Sequence, residues 1–76
     1  MLKSVEQLVK SANNGVKAKK LGNHRMEQDD KAIRYFYYWT CICEVDKVTG
    51  KVTIDNKGWS TRSTTTAVNS YKEIYN

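Results

Sequence analysis

Hydrophobic and aromatic residues are concentrated in the middle of the chain, in residues 33–45. This segment contains five consecutive aromatic residues, from Tyr35 to Trp39, and no glycine or proline. Aromatic and β-branched side chains favour strands because they pack well on a pleated surface. The segment is therefore predicted to form one continuous strand.

Successive side chains of a strand point to opposite faces, which divides this segment into two sets. One face is predicted to carry Ile33, Tyr35, Tyr37, Trp39, Cys41, Cys43 and Val45. The other face is predicted to carry Arg34, Phe36, Tyr38, Thr40, Ile42 and Glu44. Neither set is predominantly polar, so both faces of the strand are expected to contact something.

A hairpin is predicted to follow this strand, with residues 46–51 as its loop. Gly50 provides the positive φ that such turns require. Pairing Asp46 with Lys51 closes this loop. It predicts a register with Val45 opposite Val52, Glu44 opposite Thr53 and Cys43 opposite Ile54. This register pairs apolar with apolar and polar with polar residues, and a shift by one residue would destroy the match.

A short helix is predicted over residues 4–13. Ser4 and Gln7 have the spacing of a capping box, and Asn13-Asn14-Gly15 is a stop signal. The apolar residues recur at helical spacing: Val5, Leu8, Val9 and Ala12. A helix of this length is not stable alone and must dock on the sheet.

A second amphipathic helix is predicted over residues 62–75. Its apolar stripe consists of Thr64, Ala67, Val68, Tyr71, Ile74 and Tyr75. We expect the stripe to pack on the strand face that carries Tyr37, Trp39, Cys41, Cys43, Val52 and Ile54. With one helix for each face of the sheet, the N-terminal helix is then expected to cover the Phe36, Tyr38 and Ile42 face.

The connecting segment is less clearly patterned. Residues 15–22 fit a basic loop, a strand start or a helical turn equally well, and residues 24–28 are predicted to form a short edge strand. Asp29-Asp30-Lys31 is predicted to be the turn into the long strand. The fold class is therefore α+β: a single domain (1–76) with a small antiparallel sheet of two to three strands, a central hairpin at about 33–57, and a helix at each end.

The formal net charge of +5 originates entirely in residues 1–25, because the rest of the chain is balanced. Such a local excess attracts polyanions or acidic protein surfaces, although a solvated basic face that aids solubility fits equally well. The candidate basic contact residues are Lys10, Lys17, Lys19, Lys20 and Arg25. Arg62, which lies among Ser60, Thr61 and Ser63, is a further candidate for holding phosphate at a helix N-terminus; a cap alone explains that segment equally well.

The second strand face is the other candidate binding surface, through Arg34, Phe36 and Tyr38. Aromatic rings interleaved with bases suit single-stranded nucleic acid, since bases stack on rings and phosphates meet cations. If the N-terminal helix covers this face, these residues belong to the core instead, and the lysines become the contact surface.

Catalytic chemistry is not predicted. Cys41 and Cys43 with His24 fall short of the four converging ligands of a zinc site, and no base is placed beside a nucleophile. The two cysteines are expected to be free thiols, because a disulfide between them would be strained. We therefore predict no catalytic residue, no metal and no cofactor. No membrane segment is present in the sequence, so a cytosolic protein is expected.

The C-terminal half resembles small bacteriophage-encoded proteins of an uncharacterised family. The resemblance is carried by Thr40-Cys41-Ile42-Cys43, by Asn56-Lys57-Gly58-Trp59-Ser60-Thr61, by Ser63-Thr64-Thr65 and by Asn69-Ser70-Tyr71. It departs at Lys57, where that pattern has a second glycine. The resemblance implies a phage origin and action in the cytoplasm of a host cell.

Two functional hypotheses follow. The first is a non-enzymatic protein that binds and modulates or inhibits a host protein or nucleoprotein machine, for example as an anti-CRISPR or other anti-defence protein. The alternative is a nucleic-acid-binding accessory protein that uses the N-terminal lysine cluster on DNA or RNA. A homodimer through the edge of the long strand or through the Tyr/Trp face is a third possibility.

Overall fold

The computed structural model describes residues 2–75 and contains one five-stranded antiparallel sheet and two helices. The elements in chain order are α1 Lys3–Asn13, β1 Ala18–Leu21, β2 His24–Gln28, β3 Ala32–Tyr37, β4 Thr40–Asp46, β5 Val52–Ile54 and α2 Arg62–Tyr75. The strands lie in the order β1-β2-β3-β4-β5, so each pairs with its neighbour in sequence. The α+β class is as predicted, whereas a sheet of two to three strands was an undercount.

The segment predicted to be one long strand is two strands joined by a tight turn. Tyr37 pairs with Thr40, which leaves Tyr38 and Trp39 as the two turn residues. Tyr38 has a φ of 56°, in the left-handed region where glycine or asparagine normally occurs in such turns. Because an aromatic pair carries none of the usual turn signals, the sequence pattern concealed this reversal and the prediction was wrong.

A β-bulge follows immediately in β4. Tyr35 lies opposite Cys43 and Phe36 lies opposite Cys41, so Ile42 is an extra residue between two pairs. Ile42 and Cys43 are consecutive and both are buried, with 1% of each exposed. The predicted strict alternation therefore fails at the bulge, and Cys41 comes to lie on the side of Phe36, away from the core.

The β4–β5 hairpin has the predicted register at all three positions: Val45 with Val52, Glu44 with Thr53 and Cys43 with Ile54. The backbone amide of Asp46 donates to the carbonyl of Lys51 over 2.8 Å. The Asp46 carboxylate accepts from the amides of Val48 and Thr49 and closes the turn. Apolar pairing and turn chemistry agree here, which is why the sequence pattern was sufficient.

Both helices pack on the same face of the sheet. The buried residues of the two helices belong to one core, together with residues of three strands: Val5, Leu8, Val9, Ala12, Met26, Ile33, Tyr35, Ile42, Cys43, Ala67, Val68 and Tyr71. The expectation of one helix for each face was therefore wrong. Strands lie about 4.8 Å apart and packed helices about 8–10 Å apart, so five strands provide room for two helices on one face.

The helix boundaries are close to those predicted, but the predicted cap of α1 is absent. Helix α1 begins at Lys3 and its N-cap residue is Leu2, with no side-chain hydrogen bond to the cap. The backbone amide of Leu2 instead donates to the hydroxyl of Ser70 in α2 over 3.2 Å. This contact ties the start of α1 to the second helix. Helix α2 has the predicted bounds.

Residues 15–22, for which the sequence pattern did not decide between loop, strand and helical turn, contain β1. The exposed residues of β1 form one edge of the sheet. Strand β2 has the predicted bounds but is an inner strand between β1 and β3. Asp29 makes the predicted turn, because its carboxylate accepts from the amides of Lys31 and Ala32 over 2.8 and 2.9 Å.

The tyrosine cluster of the core provides a test of the packing. The Tyr35 and Tyr71 rings lie 4.8 Å apart and both side chains are fully buried. The Tyr35 and Tyr75 hydroxyls share a hydrogen bond of 2.6 Å, whereas the Tyr71 hydroxyl has no partner among residues 2–75. We expect Tyr35→Phe to lower the free energy of unfolding by about 1 kcal/mol, and Tyr71→Phe to leave it unchanged or raise it. Urea denaturation measures both, and an equal loss in the two variants would contradict this packing.

The turn before α2 provides a second test. The amide of Trp59 donates to the carbonyl of Asn56 over 3.0 Å, and the two central residues, Lys57 and Gly58, have φ values of 56° and 84°. Lysine is strained in this region, so Lys57→Gly is expected to raise the free energy of unfolding by up to about 1 kcal/mol. Lys51→Gly, outside the positive-φ positions, removes the same charge and is expected to be destabilising. Equal effects in the two variants would argue against this turn geometry.

Candidate binding site

The face of the sheet opposite the helices is covered by neither of them. Across four strands it carries one row of directly paired residues: Lys20, Arg25, Phe36 and Cys41. The adjacent row consists of Ala18, Glu27, Arg34, Glu44 and Thr53. Phe36 and Arg34 therefore share one face, as the strand alternation predicted. That face is open and not covered by α1 as expected, and Ile42 is in the core.

The positive charge of Arg34 in the second row is balanced by nearby carboxylates. The guanidinium of Arg34 donates to Glu44 over 3.1 Å and lies 3.4 Å from the carboxylate of Asp29. Hydrogen bonds from the backbone amides of Lys31 and Ala32, and then from Arg34, lower the pKa of Asp29. Because two carboxylates already neutralise Arg34, it is a poor candidate for an incoming anion.

Arg25 links the open face to the turn at Tyr38 and Trp39. The central carbon of its guanidinium lies 4.4 Å from the centre of the Phe36 ring and 5.4 Å from that of Trp39. Both distances are within the range of cation–π contacts. Its Nε lies 3.6 Å from Glu27. Arg25 is therefore held in place beside an aromatic ring that projects into solvent.

Three large aromatic residues are exposed at this end of the molecule: Tyr38, Trp39 and Trp59, with 57, 85 and 57% of their surface accessible. They line a cavity of about 440 Å³, which we call the aromatic cavity. Its lining residues are Tyr37, Tyr38, Trp39, Thr40, Ile42, Trp59, Thr61, Ser63 and Thr64. The β3–β4 turn, the loop before α2 and the first turn of α2 build it together.

A second cavity of about 350 Å³, the polar cavity, adjoins the first. It is lined by Leu2, His24, Tyr37, Arg62, Ser63 and Thr66. Tyr37 and Ser63 line both cavities, so they form the wall between them. The predicted site residue Arg62 lies here, and burial lowers the pKa of His24, whose ring lies 4.9 Å from that of Tyr37.

The structure does not bring the predicted lysines into one patch. Lys10 lies on α1 and is 3.9 Å from Glu6 in the same helix. Lys17 precedes β1, and Lys19 and Lys20 occupy that edge strand. Lys19 is opposite the buried Met26 whereas Lys20 is opposite Arg25, so the two are on different faces of the sheet.

Sequence reasoning singled out Tyr38, Arg25 and Arg62, all of which lie at or beside the two cavities. It did not identify Trp59 as a site residue. The available signal was a tryptophan directly after a tight turn, in a position where no amphipathic pattern places it in a core. Neither the left-handed turn at Tyr38 nor the convergence of this turn with α2 could be inferred from local sequence.

The two thiols are not activated. Burial raises the pKa of Cys41, and burial also raises the pKa of Cys43, to about 12. Both cysteines are free, and a thiol in this state is a weak nucleophile at neutral pH. Within residues 2–75, no group of three His, Cys, Asp or Glu side chains is placed to hold a metal ion.

None of the helices described here is both long enough and apolar enough to cross a membrane. Comparison of the chain with protein-family models, with curated proteins and with solved structures found no match.

The single histidine of the chain, which is half-buried, provides a test of the wall of the polar cavity. Burial lowers the pKa of His24 in the folded state, so the unfolded state binds the proton more readily. Stability from this residue is complete above the unfolded pKa of about 6.5 and is lost as the pH falls below it. We expect the urea midpoint to decrease when the pH is lowered from 7.5 to 5.5, and to decrease less in the His24→Gln variant. If the urea midpoint depended on pH identically in the two proteins, His24 would not be held in its neutral form by burial.

Proposed function

We propose that the protein is a non-enzymatic binding protein that contacts a host protein or nucleoprotein machine and modulates or inhibits it. An anti-defence role, such as that of an anti-CRISPR protein, in the cytoplasm of a phage host is the specific form of this proposal. The single observation that carries it is the clustering of Tyr38, Trp39 and Trp59, all exposed, around one cavity.

Exposed aromatic clusters of this kind are unusual on a monomer that has no partner. Contiguous apolar patches generally mark binding surfaces, and Trp, Tyr and Arg dominate the residues that supply binding energy. Here, Arg25 and Arg62 flank the same end of the molecule. The combination favours a partner surface that offers a protruding side chain and nearby negative charge.

The backbone that carries these exposed aromatic residues also favours this surface as a binding site. Trp39 and Tyr38 occupy a two-residue turn between two inner strands, and Trp59 follows a turn closed by a backbone hydrogen bond of 3.0 Å. A backbone held in a short turn loses little conformational entropy when a partner binds. The backbone at Tyr38, Trp39 and Trp59, which we call the aromatic end, is therefore organised before binding.

Nucleic-acid binding is the second candidate function. Two observations favour it: Arg25 stacks on Phe36 on the open sheet face, and no acidic side chain within residues 2–75 forms an ion pair with Lys17, Lys19 or Lys20. Cations beside aromatic rings on a sheet are the arrangement that single-stranded nucleic acid requires. This candidate requires binding that weakens steeply as salt is raised.

A homodimer through the edge of the long strand is not available, because β3 and β4 are both inner strands. Pairing of the Tyr38, Trp39 and Trp59 surfaces of two copies is the remaining form of that hypothesis. Light scattering of the purified protein distinguishes a dimer from a monomer.

The proposal is tested by a complex with a host component. The tagged protein is used to capture partners from host lysate with and without nuclease, and the captured complex is reconstituted from purified components. We expect Trp39→Ala and Trp59→Ala each to weaken it by at least about 30-fold, corresponding to roughly 2 kcal/mol for an interface hot spot.

Val48→Ala is the matched control, because Val48 is also exposed but lies in the β4–β5 turn, away from the cavity. It is expected to leave the affinity unchanged. A complex that survives both tryptophan substitutions, or a lysate that yields only nucleic acid, would count against a protein-directed function.

A further inference from the structure

The two adjoining cavities differ in the residues that line them: aromatic rings dominate the first, and Arg62 lines the second. The aromatic cavity has rings on several sides, and its volume of about 440 Å³ is within the range of small-ligand sites, roughly 300–1,000 Å³. The polar cavity contains Arg62, which forms no ion pair with an acidic side chain in residues 2–75. Among residues 2–75, no acidic side chain lines either cavity.

We propose that the paired cavities bind one unpaired nucleotide of a single-stranded nucleic acid, with the base in the aromatic cavity and a phosphate at Arg62. This inference rests on the second candidate function, nucleic-acid binding. It places the main contact at the aromatic end of the molecule and not at the lysine cluster. It assigns a site that binds a base, whereas the lysines alone bind only phosphates.

The aromatic cavity supplies what a base requires. Trp39 and Trp59 present exposed ring faces, and every base can stack on such a face. The Thr61 and Thr64 hydroxyls bond to each other over 2.9 Å. By contrast, the hydroxyls of Thr40 and Ser63 have no hydrogen-bond partner among the described residues, which leaves them free to donate to or accept from the edge of a base.

The polar cavity supplies what a phosphate requires. Arg62 presents a guanidinium, whose donors match phosphate oxygens. Ser63 belongs to both cavities, so its hydroxyl lies where the two halves of a nucleotide would join. Burial lowers the pKa of His24 and keeps its ring neutral near pH 7, so the charge that attracts an anion here belongs to Arg62.

Arg25 indicates the path that the rest of a bound nucleic-acid strand would follow. Its guanidinium lies over Trp39, which lines the aromatic cavity, and over Phe36 on the open sheet face. Lys20 is directly opposite Arg25 in the neighbouring strand. Phosphates that follow the bound nucleotide therefore meet two cations on the open face.

This arrangement discriminates against a duplex. In a duplex the bases are stacked and paired, so none is available to enter a cavity unless it is first extruded. A partner protein that inserts an aromatic side chain is the competing occupant. The described residues that line the two cavities include no acid, and Arg62 and Arg25 lie at or beside them, which favours the anionic ligand.

The test compares three probes of equal length at low salt: a single-stranded oligonucleotide, the same strand with abasic sites throughout, and the corresponding duplex. The abasic strand retains the phosphates and lacks the bases. The chain has two tryptophans and both line the aromatic cavity, so their fluorescence reports directly on occupancy. We expect the intact strand to quench this fluorescence and to bind about tenfold more tightly than the abasic strand or the duplex.

Variants separate the two halves of the site. Trp59→Ala is expected to reduce affinity for the intact strand about tenfold and leave the abasic strand unaffected, whereas Trp59→Phe retains most of the affinity. Arg62→Gln is expected to weaken the intact and abasic strands by the same factor. Val48→Ala is the control and changes neither. Circular dichroism verifies that each variant is folded.

Two results would overturn the proposal, and they can be told apart. Equal, salt-sensitive binding of the intact and abasic strands would show that the cavity takes no base, while nucleic-acid binding through phosphates alone would survive. No binding of any probe at low salt would remove the second candidate function as well. In that case, loss of the host-protein complex in Trp59→Ala would assign the aromatic cavity to a partner side chain.

Discussion

The reversal of the chain at Tyr38 and Trp39 is the constraint on which the rest of the structure depends. A two-residue turn with a left-handed tyrosine converts one aromatic segment into two inner strands. The bulge at Ile42 then restores the inward direction of Cys43, so that the register with β5 and the core beneath it are both satisfied. Without this pair of irregularities, β3 and β4 could not place Tyr35, Ile42 and Cys43 in one core.

The width of the sheet decides which surface is available for binding. Because β1 and β2 extend it to five strands, α1 and α2 lie side by side on one face and share a single core. The opposite face is left with paired charges in one row and the stack of Arg25 on Phe36 in the other. Helix α2 also starts beside the aromatic turn, so its first residues form walls of both cavities.

The contrast between the two hairpins shows how far local pattern reaches. The β4–β5 hairpin could be predicted residue by residue, since its loop contains Gly50 and its strands match apolar with apolar residues. The β3–β4 hairpin has no glycine in its turn, and its two turn residues, Tyr38 and Trp39, are of types that favour strands. The turn is instead tied to a distant segment, because the backbone amide of Tyr38 donates to the carbonyl of Asn23 over 2.8 Å. Tyr38 and Arg62 could therefore be predicted as candidate site residues from local sequence, but their proximity to Trp59 could not.

The sequence by itself determined the α+β class, the extents of α2 and β2, the inward stripes of both helices, and the register of the last hairpin. Each of these follows from periodicity or turn chemistry within a few residues. The tertiary structure alone decided the number of strands, the placement of both helices on one face, and the cavity at Tyr38, Trp39 and Trp59. These depend on how distant segments share one core, and local side-chain pattern does not reveal which segments far apart in the chain will be neighbours.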